Sequence, residues 1–143
     1  MKKKRERGNN MEEIDLYLNK INDCTITPSD IDLVIKMLNE DTKKGRIKAT
    51  KEDIQWFEIY KFGLEELELE KSGESKMQVG DWRNNLNYSK ARFFVDEMDE
   101  LGLIENVSWH TQGVVIFDIK NTNVYRIHLF KKIKNALCEL YGL

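Results

Sequence analysis

"NYSKARFFVDEMDELGLIE", residues 87–105, decides the fold. Ala91, Phe94, Val95, Met98 and Leu101 recur at three- and four-residue steps, the spacing that lines one face of an α-helix. Gly102 follows as a stop, because glycine accepts the left-handed backbone that ends many helices. Leu103 and Ile104 then open an extended segment. The charges divide along the helix: Lys90 and Arg92 lie in its first half, and Asp96, Glu97, Asp99 and Glu100 in its second. The helix dipole favours the opposite order, so this polarity points to a role other than helix stability. A basic leading turn suits approach to phosphate, with the acidic half set back and its repulsion screened over about 8–10 Å.

Downstream of Glu105 the apolar period changes from helical to alternating. "VSWH" (107–110), "VVIFDI" (114–119) and "VYRIHLF" (124–130) read as three strands. The turn-like connectors "TQG" (111–113) and "KNTN" (120–123) make an antiparallel meander the simplest topology. In the third strand Tyr125, Ile127 and Leu129 face one way, and Arg126 and His128 the other. Phe130, Ile133, Leu137 and Leu140 then mark a C-terminal helix.

Upstream, "KMQVGDWRNNL" (76–86) places Val79, Trp82 and Leu86 at helical spacing and predicts a short helix. "KSGES" (71–75) separates it from a long helix opened by Thr50 and Asp53, a capping-box pattern. That helix is apolar on two adjacent arcs, Ile54–Phe57–Tyr60–Leu64 and Trp56–Ile59–Leu67, which predicts burial between neighbours. Gly63 interrupts it and should weaken or bend it. Further upstream, Thr27, Pro28 and Asp30 form a helix start, with Ile31, Val34, Ile35 and Leu38 as the buried stripe. "MEEIDLYLNKIN" (11–22) adds a short amphipathic helix through Met11, Ile14, Leu18 and Ile21.

Helix, short helix, helix and β-meander together predict an α+β, mostly helical chain. Its expected core is a winged helix-turn-helix with a three-stranded antiparallel wing sheet, an N-terminal helical extension and a C-terminal helix. The expected divisions are a disordered basic arm (1–10), the helical extension (11–50) and the winged-helix domain with its C-terminal helix (51–143).

The stretch "YSKARFFVDEMDELGLIE" also resembles the recognition helix of the gamma domain of the FtsK/SpoIIIE DNA translocases, through Tyr88, Ala91, Val95, Asp96, Met98, Gly102, Leu103 and Ile104. The resemblance covers about residues 77–105. It implies a winged-helix fold whose helix at 88–100 faces DNA. The family's Asn-Arg pair falls on Ser89 and Lys90 here, so its target sequence does not carry over. Neither does motor activity, since the chain has no Walker-type glycine-rich loop.

Composition narrows the remaining classes. The 143 residues carry 23 Lys+Arg against 25 Asp+Glu, so the net charge of −2 gives no bulk attraction to phosphate and only a local basic face can supply it. Two runs without an acid supply candidates: Lys43, Lys44, Arg46, Lys48 and Lys51, and then Lys120, Arg126, Lys131, Lys132 and Lys134. Cys24 and Cys138 share no metal-ligand spacing with His110 or His128. No stretch reaches the roughly 20 apolar residues of a membrane span. The acidic clusters have no histidine at ligand spacing, and no nucleophile stands in a catalytic motif. No metal, cofactor or enzyme activity is therefore expected.

The sequence-based expectation is a cytoplasmic, nucleoid-associated protein that binds double-stranded DNA, as a homodimer through its N-terminal or C-terminal helices. Its setting would be regulation, replication or segregation of a plasmid, phage or chromosome. The expected DNA contacts are Arg83, Tyr88, Ser89, Lys90, Arg92, Phe93, Lys120 and Arg126, with "KNTN" or "TQG" as the wing tip. His110 is read as structural or solvent-facing, His128 as an exposed strand residue, and Trp109 as core in preference to an exposed wing aromatic. The alternative is a winged-helix adaptor that binds another protein and no DNA; RNA binding through the basic strand face is a weaker third.

Overall fold

The computed structural model describes residues 13–72, 88–110 and 115–143. The basic arm, the short helix expected at 76–86 with Trp82 and Arg83, and the "TQG" turn lie outside the described residues. Within them the chain is α+β and mostly helical. Five helices, α1 (13–22), α2 (Pro28–Lys43), α3 (Lys51–Ser72), α4 (Tyr88–Glu100) and α5 (Thr122–Tyr141), accompany two strands, β1 (Ile104–Trp109) and β2 (Val115–Ile119).

The helix starts follow from local chemistry. Thr27 caps α2 by accepting from the Asp30 amide at 3.2 Å, and the Asp30 carboxylate accepts from the Thr27 amide at 2.9 Å. Lys20 of α1 reaches the same carboxylate at 3.0 Å, tying α1 to the start of α2. Thr50 and Asp53 repeat the box at α3, with bonds of 2.8 and 3.1 Å. Both starts agree with the sequence reading.

Helix α3 is the spine. It packs against α2, α4, α5 and β2, burying Phe57, Ile59, Phe62, Leu64 and Leu67. The glycine expected to weaken it has a packing reason. A Cβ at Gly63 would lie 3.0 Å from Phe94 of α4 and 3.2 Å from Leu129 of α5. The Gly63 carbonyl also accepts a 2.9 Å bond from the fully buried Tyr125 hydroxyl. Side chains from α4 and α5 therefore meet the spine where it carries no side chain of its own.

The expected third strand is not formed. Residues 124–130 belong to α5, and the sheet is a two-stranded antiparallel hairpin. Alternation of Tyr125, Ile127 and Leu129 suggested the strand, but over seven residues a helical stripe fits as well. Tyr125, Leu129, Phe130, Ile133 and Leu137 are buried, whereas Ile127 is 65% exposed. "KNTN" is consequently no wing tip. Asn121 is the N-cap of α5, its side chain accepting from the Val124 amide at 3.1 Å.

Candidate nucleic-acid interface

Helix α4 ends as expected: Gly102 is left-handed (φ 74°), and the Leu103 amide donates back to the Met98 carbonyl. The chain then reverses into β1, which runs back beside α4. A 13-residue helix and a six-residue strand both span about 20 Å at 1.5 and 3.3 Å per residue. The far end of β1 therefore returns to the first turn of α4.

A bulge decides what β1 presents there. Ile104 pairs with Ile119 and Trp109 with Val115, and the register shifts between Glu105 and Ser108. Asn106 sits in the shift with φ 58°, a conformation asparagine tolerates, and its side-chain Nδ2 donates to the Asp118 carboxylate at 2.9 Å. Residues five apart on a regular strand face opposite sides. The extra residue returns Trp109 to the side of Ile104, opposite the inward-facing Val115. Trp109 thus meets α4: its ring lies edge-on to Tyr88 at 5.7 Å, and the Arg92 guanidinium sits 4.6 Å from its centroid. Arg92 also donates to the Tyr88 hydroxyl at 3.2 Å.

Around α4, successive side chains turn by about 100°. Ala91, Phe94, Val95 and Met98 are buried. Opposite them lie Ser89 and Phe93 in the first half, and Asp96 and Glu100 in the second, all exposed. Tyr88 and Arg92 form the flank toward β1. Lys90 and Glu97 form the other flank. Phe93 is 62% exposed and rests edge-on against Trp56 of α3 at 6.0 Å. The first turn of α4 holds no acid, so the positive end of its dipole is not offset from within the turn.

Several expected contacts lie elsewhere. Lys90 is not an outward-pointing cation: its side chain is 13% exposed and pairs with Glu52 of α3 at 3.3 Å. Lys120 follows β2 at the base of the hairpin, where its amide donates to the Leu103 carbonyl, at the acidic end of α4. Arg126 is on α5, not on a strand. It donates to Asn123 at 3.1 Å and lines a cleft of about 200 Å³ with Cys24, Leu64, Glu68 and Phe130. His128 lies 3.5 Å from Glu97, and Lys132 pairs with the same carboxylate at 3.0 Å, joining α5 to the middle of α4. The basic run 120–134 is therefore split between the base of the hairpin and the faces of α5, and forms no single stripe.

Tyr88, Ser89, Arg92 and Phe93 remain together on one outward surface; Arg83 lies outside the described residues. Trp109 is half-buried and packs against the core, as the sequence reading preferred; its contact with Arg92 was not legible, because the bulge that turns it toward α4 leaves no periodic signal. Sequence reading also missed the Glu52–Lys90 pair, which joins positions 38 residues apart. The Tyr88–Arg92 pairing was accessible, since residues four apart on a helix are neighbours. Among the described residues no cluster of His, Cys, Asp or Glu has a metal-binding arrangement, and no helix is long and apolar enough to cross a membrane. Comparison of the chain with protein-family models, with curated proteins and with solved structures finds no match.

Proposed function

We propose that the protein binds double-stranded DNA through the first half of α4, with the β1–β2 hairpin beside it as a wing, in the manner of a winged helix-turn-helix. The observation that carries this reading is the grouping at the start of α4. Ser89 and Phe93 are exposed there, Arg92 is held on the hairpin side by Trp109 and Tyr88, and the first turn carries no acid. A helix lying in a major groove offers its N-terminal residues to base edges, while flanking cations and the wing meet phosphates. Arg92 suits a phosphate, and Phe93 a thymine methyl. The proposal keeps the regulatory, replication or segregation setting, the homodimer and the nucleoid-associated location.

A second reading is favoured by two observations. Lys90 is neutralised by Glu52, and the exposed Phe93 is backed by Trp56. An aromatic surface of that kind also suits a protein partner, as an adaptor would require. Fluorescence anisotropy with labelled generic duplex separates the two. Two to four phosphate contacts predict a fall in affinity of about 10- to 150-fold between about 50 and about 200 mM salt. No association at the lower salt would leave the adaptor reading in place.

A further inference from the structure

We propose that Trp109 and Tyr88 form a seat that holds Arg92 for a backbone phosphate of the duplex, so that the hairpin acts on DNA through α4; this rests on the DNA reading above. A free arginine samples many rotamers, and fixing it on binding costs affinity. Here the side chain is fixed beforehand by two elements. The Trp109 ring lies against the guanidinium at 4.6 Å, and the Tyr88 hydroxyl accepts one of its five N–H groups at 3.2 Å. The other donors remain for a ligand. Among the described residues no carboxylate pairs with Arg92, although Asp96 stands one turn along the same helix. The arginine is turned to the indole instead.

Trp109 is itself fixed, by strand pairing with Val115 and by the Asn106 bulge that directs it toward α4. The two aromatic rings brace one another at 5.7 Å with an interplanar angle of 70°, a favourable edge-to-face geometry. The guanidinium N–H groups lie in the plane of the guanidinium itself, in a fixed fork that matches phosphate oxygens, and the indole contact leaves that fork intact. A lysine in the same place would keep the charge and lose the fork. This assigns Trp109 and Tyr88 as positioning residues and Arg92 as the contact.

The experiment is anisotropy titration of labelled duplex over a salt series with the wild-type chain, Arg92→Ala, Arg92→Lys, Trp109→Leu and Tyr88→Phe, each checked for folding by circular dichroism. Arg92→Ala should weaken binding and flatten the log–log salt slope by about one unit. Arg92→Lys and Trp109→Leu should each weaken binding about 3- to 10-fold while keeping the slope. Trp109→Leu should cost nothing further in the Arg92→Ala background, because the tryptophan acts through the arginine. Tyr88→Phe keeps the ring and removes only the hydroxyl, so it reports on the seat should Trp109→Leu fail to fold; a weakening that disappears in the Arg92→Ala background is expected. Additive effects of Trp109 or Tyr88 with Arg92, or an unchanged salt slope in Arg92→Ala, would overturn the seat and leave the DNA reading standing. A wild-type chain that does not bind duplex overturns both.

Discussion

Replacing Gly63 by alanine sets two effects of known sign against each other. In an exposed helix interior the change stabilises by about 1 kcal/mol, because glycine is the costlier residue to order. At this position the new methyl would sit 3.0 Å from the Phe94 ring and 3.2 and 3.3 Å from the two Leu129 methyls. Relaxed carbon contacts lie at about 3.5–4.0 Å, so three atoms must move by several tenths of an ångström. Phe94 and Leu129 are 1% and 0% exposed and have little room to yield. Overpacking of this kind costs about 1–3 kcal/mol, so the net expectation is a loss of about 1 kcal/mol. Urea unfolding followed by circular dichroism reads it as a lower midpoint at constant slope. Phe94→Leu in the same chain should relieve the clash, making the double variant more stable than the sum of the singles predicts. A rise in stability of about 1 kcal/mol for Gly63→Ala alone would refute the close approach of α4 and α5 to the spine.

Two further predictions follow from the helices. Ile127→Lys should change stability by less than about 0.5 kcal/mol in urea unfolding, since the side chain lies on the exposed face of α5; a loss of several kcal/mol would restore the strand reading of 124–130. Burial pushes the Asp30 carboxyl up, but the Thr27 amide, the Lys20 ammonium and the Thr27 hydroxyl outweigh it and hold the group below its ordinary value. Its ionised form therefore stabilises the fold at pH values above that ordinary value, and the contribution is lost as pH falls through the depressed one. Asp30→Asn should cost about 1 kcal/mol near neutrality and shrink the stability difference between pH 6 and pH 3; an unchanged acid profile would remove Asp30 from the account.

How much of this was legible depended on the range of the interaction. Thr27, Asp30, Thr50, Asp53 and Gly102 act within a few residues of themselves, and helix limits read from them agree with the structure. The stripe of α4 was equally clear, because four of its five apolar positions repeat at helical steps and are buried. Residues 124–130 misled because β-branched and aromatic side chains alternate there by chance. What decides their state is the Asn121 cap before them and the stripe continuing to Leu137 after them. The candidate interface was half visible. Its members on α4 share one element, whereas Trp109 reaches them only after the hairpin folds back and a one-residue bulge reverses the side it faces. Lys90 shows the same limit from the other direction: a cation in the expected place is committed to Glu52 on another helix.

The central claim is that the outward face of the first half of α4 lies against duplex DNA. Replacing Phe93 with the photocrosslinker p-benzoylphenylalanine places a reactive group on that face, and the same replacement at Leu16 of α1, 50% exposed, serves as a control elsewhere on the surface. Irradiation with labelled duplex at low salt should give a protein–DNA adduct from position 93 and none from position 16. No adduct from position 93, or equal yields from both positions, would contradict the account.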